Sequence, residues 1–206
     1  MIRLWGRISS INVRKVALTL QLLEIPFERT DAGLQYGIVR TPEYLARNPN
    51  ALVPLLDDEG FELWESNVIV RYLAAAYGNG RLYPQDLRQR FDAERWMDWQ
   101  QTTMNGAGRD AFVQLFRTPE GQRNMQLVDK SVAAMEPLWD IVDARLARTG
   151  WMAGGAITIA DIPIACEMHR WRGLPLTHPR RPHLEAWYGR ILALPASQGV
   201  LDIALS

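Results

Sequence analysis

The chain changes its hydrophobic pattern once, near residue 80, and that change limits the folds open to it. Before it, short apolar runs alternate with helical spacing. "MIRLW" reads as a strand, and from Val13 the apolar residues Val16, Ala17, Leu20 and Leu23 recur at helical intervals. "IPFERTDA" reads as a second strand opened by Pro26. In "TPEYLARN", Thr41 is a predicted helix cap with Pro42 at the first helical position. "LVPLLDDEGFELW" gives two short strands around a turn at Asp58, Glu59 and Gly60. "ESNVIVRYLAAAYG" gives a helix with Val68, Ile69, Tyr72, Leu73 and Ala76 on one side, closed by Gly78. The predicted order is β-α-β, a short helix, then β-β-α.

"NGRLYPQD" follows and reads as a linker. Nothing after it reads as a strand. A helical run starts at about Leu87. Val128, Val132, Met135, Trp139, Val142 and Leu146 then keep the spacing of a buried helix face, and two more helices are expected near 158–171 and 182–194. The expected fold is an α/β module over 1–80 joined to an all-helical module over 87–206.

Composition removes several classes of function. The chain has 23 basic and 23 acidic residues, so no excess charge points to nucleic acid. Cys166 is the one cysteine, which rules out an internal disulfide and suits a reducing compartment. It falls with Ile159, Ile162 and His169 at helical spacing and reads as a core thiol. The opening "MIRLWGRISS" lacks the apolar run and cleavage site of a signal peptide, and no stretch reaches the ~18 apolar residues of a membrane span. A cytoplasmic globular protein is expected, with no membrane partner.

Three places in the first module carry chemistry-bearing residues. Ser9, Ser10 and Asn12 stand where the first strand hands over to a helix. Such residues cap helices, and they also hold anions at the unpaired N–H groups of a helix start. Pro54 opens a strand; a cis Val53–Pro54 bond would leave the Val53 backbone groups unpaired and facing out. Glu65 and Ser66 begin another helix, where a carboxylate complements the helix dipole. In the second module, "ITIADIP" supplies Thr158 as N-cap and Asp161 three residues on, an acidic capping box, with Ile157 and Ile162 at the positions of a hydrophobic staple. Pro163 removes an early helical hydrogen bond, and the motif reads as structural.

Taken together, "NPNALVPLL", "LWESNVIVRYLA" and "ITIADIP", in this order and spacing, resemble the glutathione transferase family over essentially the whole chain. The opening "WGRISSINVRKV" resembles the serine-type members common in bacteria. The resemblance implies a thioredoxin-like N-terminal domain that binds glutathione, an all-helical C-terminal domain that contributes the electrophile pocket, and a homodimer. Ser10 would donate its hydroxyl hydrogen bond to the glutathione sulfur, with Asn12 in support and Ser9 as the neighbouring alternative. Leu52, Val53 and Pro54 would line the site, the Val53 backbone pairing with the cysteinyl part as an added strand would. Glu65 and Ser66 would hold the γ-glutamyl ammonium and carboxylate. Leu52 stands where many relatives carry a polar or basic residue toward the glycine carboxylate, so that counter-charge must come from Arg40 or Arg47, or the anion stays solvated. Ile11, Met104, Phe112 and Trp171 are electrophile-pocket candidates, and Arg109 either polarises a leaving group or faces solvent. Glutathione is the co-substrate; no metal is called for.

The chemistry fits those residue types. A free thiol has a pKa near ~8.5, and only its thiolate is a nucleophile. Donors aimed at the charged form lower that value. A depression of about two units leaves most of the bound thiol ionised and corresponds to ~2.7 kcal/mol of differential stabilisation. Position 10 carries no cysteine and the first tyrosine is Tyr36, so cysteine-type and tyrosine-type relatives are disfavoured. The competing readings are a binding or regulatory protein that keeps the fold without catalysis, and a glutathione-dependent isomerase, dehalogenase or peroxidase.

Overall fold

The computed structural model describes residues 1–205. The chain divides into two units, Met1–Tyr83 with Pro195–Ala204, and Pro84–Leu194. The segment 195–204 therefore groups with the first unit, whereas the sequence boundaries assign it to the helical module. The helix that carries Arg14 and Gln21 ties it there: Arg14 is 1% exposed, and its guanidinium donates to the carbonyl oxygens of Val200 and Ala204, while Gln21 donates to the carbonyl of Gln198.

The first unit is built on a four-stranded mixed sheet. Strand β1 (Ile2–Trp5) leads through helix α1 (Ile11–Leu22) to β2 (Phe27–Thr30). The short helix α2 (Pro42–Arg47) precedes β3 (Leu55–Asp58), β4 (Phe61–Trp64) and helix α3 (Ser66–Tyr77). The strand order is β2-β1-β3-β4. β1 runs parallel to β2 and antiparallel to β3, and β3 pairs antiparallel with β4. Ile2 and Leu4 are buried between exposed Arg3 and half-buried Trp5, the alternation of a strand with one apolar face. Leu55 and Leu56 are both buried, as a strand covered on its two faces requires.

Helix α3 turns its faces differently from the sequence expectation. Ile69, Val70, Leu73 and Ala74 are buried, on the side that packs against α1. Val68 and Ala76 are exposed, and Tyr72 reaches Asp58 with its hydroxyl at 2.6 Å. Apolar residues at 68, 69, 70 and 72 leave two stripes open to choice by periodicity, and contact with α1 selects between them.

The second unit contains helices α4 (Leu87–Trp99), α5 (Asn105–Phe112), α6 (Met125–Thr149), α7 (Asp161–Arg172) and α8 (Pro182–Leu192). Residues Gln100–Met104 and Val113–Arg117, on either side of α5, are wound as wider π-helical turns. The buried face of α6 follows the expected stripe with one exchange: Ser131 is buried, its hydroxyl donating to the Ala107 carbonyl, and Val132 is half-buried. Cys166 is buried. The bonds expected of the capping box form, but Ala160, not Thr158, stands at the N-cap of α7. Asp161 accepts from the Thr158 N–H at 2.8 Å, and the Thr158 hydroxyl oxygen accepts from the Ala160 N–H at 3.3 Å. Regular helix begins at Asp161, so Pro163 falls among the first four residues, whose N–H groups have no helical partner, and it removes no hydrogen bond. No helix among the described residues is long and apolar enough to cross a membrane.

Candidate functional site

The loop from β1 into α1 delivers Ser9 and Ser10 to the start of a helix. Gly6 makes the turn: its φ is 150°, and a Cβ there would lie 2.4 Å from Val13 Cγ2. Ser10 has extended backbone angles, φ −77° and ψ 125°, and its carbonyl accepts from the Arg14 N–H at 2.9 Å, as an N-cap residue's does. Its side chain makes no capping hydrogen bond. Among the described residues, neither the Ser9 nor the Ser10 hydroxyl has a partner, and both residues are half-buried. The first turn of α1 holds no acidic residue, so nothing in that turn offsets the partial positive charge of its N–H groups.

An open cleft lies beside this helix start, lined by Asn12, Asn48, Asn50, Leu52, Val53, Pro54, Trp64, Glu65 and Ser66. Asn12, Leu52, Val53, Pro54, Glu65 and Ser66 were expected from the sequence and share this one cleft. Ser9 and Ser10 stand outside its lining, at the head of the helix that carries Asn12 into it. The Ser66 hydroxyl donates to Asn12 Oδ1 at 3.2 Å and ties the first turns of α1 and α3 together. Two helix N-termini therefore meet at one cleft, an arrangement that favours anionic groups.

Glu65 is the strained residue of the site. Its φ of 73° and ψ of 103° lie in a region that side chains other than glycine rarely adopt. Its carboxylate is exposed and, among the described residues, unpartnered. The Val53–Pro54 peptide is cis, and among the described residues no group bonds to the Val53 N–H or carbonyl.

Arg47 and Arg40 differ in what they are free to do. Arg47 stacks over the Trp5 ring at 4.0 Å and pairs with Asp57 at 3.5 Å and with Glu62. Those carboxylates face each other across β3 and β4 and need a cation between them. Arg47 is thereby occupied, whereas Arg40 is exposed. The sequence reading missed Tyr44 and Asn48, both 2% exposed, which bond the loop that carries Leu52. A polar residue directly after a helix that ends in a turn was the available signal.

The electrophile candidates fall into two groups by burial. Met104 is fully buried and Trp171 is 2% exposed; Trp171 donates through Nε1 to Glu136 at 3.1 Å, and both are core side chains. Ile11 and Phe112 are half-buried and Arg109 is exposed. Phe112 stacks on Phe116 at 5.3 Å and lies under the Arg170 guanidinium at 5.4 Å.

Comparison with known proteins bears on the whole chain. Residues 1–75 match the family model of the glutathione S-transferase N-terminal domain, and residues 103–195 that of the C-terminal domain. Glutathione S-transferase GstB of Escherichia coli strain K12 is 43% identical over 208 aligned residues, covering 100% of each chain. Glutathione S-transferase 4 of Zea mays is 28% identical, covering 97% of this chain and 91% of that one. The crystal structure of the theta class glutathione S-transferase from the citrus canker pathogen Xanthomonas axonopodis pv. citri, with glutathione bound, superposes with a TM-score of 0.96 at 39% identity, covering 100% of this chain and 99% of that one. A mixed four-stranded sheet followed by helices, two helix starts at one cleft, and matches that together reach both units lead to one assignment: the chain belongs to the glutathione S-transferase family.

Proposed function

We propose that the protein binds glutathione in the cleft of its first unit and transfers the thiolate to small apolar electrophiles. The Ser10 hydroxyl carries this reading. It sits at the N-cap of α1 and does not cap the helix, so it remains available as a donor to sulfur, beside N–H groups that also favour a negative charge. Ser9, equally without a partner, is the alternative donor. Glu65 takes the γ-glutamyl ammonium and Ser66 the γ-glutamyl carboxylate, with Asn12 holding Ser66 in place. Arg109 and Phe112 keep exposed surface and are the side chains of the helical unit proposed to meet the electrophile.

The protein is proposed to act in the cytoplasm as a homodimer. Phe61 and Val68 are 51% and 44% exposed, an apolar surface on β4 and α3 that a second copy would cover. Light scattering is expected to give twice the mass of the chain; a monomer would remove that part of the reading.

Product analysis tests the reaction. With a small activated aryl or alkyl halide, conjugation consumes one free thiol for each halide released and yields a thioether. Recovery of all the glutathione with a changed second substrate would instead make it a cofactor of an isomerase or similar enzyme. No turnover with intact binding would favour the binding protein.

A further inference from the structure

Leu52 lines the cleft with an uncharged side chain that is 65% exposed. Its carbonyl, by contrast, is held by two donors: the Tyr44 hydroxyl at 2.7 Å and Asn48 Nδ2 at 2.9 Å. The hydrogen-bond chemistry decides which way round the Asn48 amide lies. Its Oδ1 accepts from the Asn50 backbone N–H at 3.1 Å, and a backbone N–H can only donate, so the NH2 group must face Leu52. Asn50 Nδ2 donates to the same oxygen at 3.1 Å. Tyr44 stays a donor at neutral pH because burial pushes its phenol up to about 12.

These two bonds have a consequence one atom along the chain. The Leu52–Val53 peptide is trans, so its carbonyl and N–H point in opposite directions. A carbonyl drawn toward Tyr44 and Asn48 turns the Val53 N–H away from both. Val53 lines the cleft, and among the described residues nothing in the chain accepts from that N–H.

We infer that Asn48 and Tyr44 are positioning residues which, by holding the Leu52 carbonyl, aim the Val53 N–H at the cysteinyl carbonyl of bound glutathione. The inference rests on the reading that this cleft takes glutathione. It assigns Leu52 a role through its backbone and makes its apolar side chain incidental.

Asn48→Asp separates the donor from the acceptor, because a carboxylate still accepts from Asn50 and no longer donates to Leu52. Calorimetric titration with glutathione is expected to give a dissociation constant about tenfold higher than wild type, and Tyr44→Phe about threefold higher, since Asn48 still holds the carbonyl. The pKa of the bound thiol is expected to stay unchanged in both, because the thiol is held at α1. A merely structural role would lower the melting temperature without this split between affinity and thiol pKa. A second readout needs no ligand. The Val53 amide should give one sharp NMR resonance in the wild type and a doubled or broadened one in Asn48→Asp. Unchanged affinity together with an unchanged Val53 resonance in the folded variant would overturn the inference. If the wild type bound no glutathione, the function proposed above would fail, and the Val53 resonance would still decide whether Asn48 aims that peptide.

Discussion

Two helix starts in this protein carry short polar residues and use them in opposite ways. At α7 every such atom is committed. The Asp161 carboxylate, fully buried, accepts from the N–H groups of Met152 and Thr158, from the Thr158 hydroxyl and from Trp187 Nε1, at 2.8 to 3.2 Å. Burial pushes that carboxyl up, against four donors that pull it down. At α1 Ser10 is half-buried and its hydroxyl bonds to nothing among the described residues. A polar side chain satisfied inside the protein does structural work. One left unsatisfied beside a helix N-terminus and a cleft is a place for a ligand. The same residue class therefore separates into architecture and chemistry only when the bonds are counted.

The contrast can be tested by removing atoms from each start. Asp161→Ala orphans four buried donors and is expected to cost about 4 kcal/mol in urea-unfolding stability. The thiol pKa of any bound glutathione should not move. A loss below about 1 kcal/mol would show that α7 is not held by this carboxylate.

Helix α2 offers a pH test of a committed polar group. Tyr44 has its pKa raised by burial to about 12, above the ~10 of an unfolded tyrosine. Its contribution is therefore complete below about pH 10 and is lost as pH rises toward about 12, amounting to roughly 2–3 kcal/mol. Stability measured across that window should fall less steeply in Tyr44→Phe; equal slopes would contradict the assignment.

The smallest effects are the most discriminating. Thr41 caps α2, its hydroxyl oxygen accepting from the Tyr44 N–H at 3.3 Å, so Thr41→Ala is expected to lower stability by about 1 kcal/mol. Ser10→Ala, at a cap position that forms no side-chain bond, is expected to change it by less than about 0.5 kcal/mol. Equal losses at the two positions would mean that Ser10 caps α1 after all.

Most of the fold was legible because short strands, caps and one long apolar stripe announce themselves locally. Thr41 with Pro42 and the turn at 58–60 formed where the sequence placed them, and Asp161 bonds back to Thr158 although the helix itself starts later, at Asp161. The face of α3 was not legible, since Val68 and Val70 are equally apolar and only packing against α1 selects the buried one. Neither was the return of 195–204 to the first unit, which depends on Arg14 and Gln21 reaching carbonyls almost two hundred residues away. In the site, the family resemblance pointed to Asn12, Val53, Glu65 and Ser66, and these share one cleft. The parts set by through-space bonding stayed hidden: the strained backbone of Glu65, the occupation of Arg47 by Asp57 and Glu62, and the hold of Tyr44 and Asn48 on Leu52.

The central claim is that Ser10 holds the glutathione thiolate. Ultraviolet titration of the thiolate of bound glutathione, in the wild type and in Ser10→Ala, tests it without any choice of second substrate. A bound-thiol pKa about two units below ~8.5 in the wild type, returning toward that value in the variant, is the expected result. A depressed pKa that the substitution leaves untouched would contradict the claim and move the role to Ser9 or to the helix N–H groups.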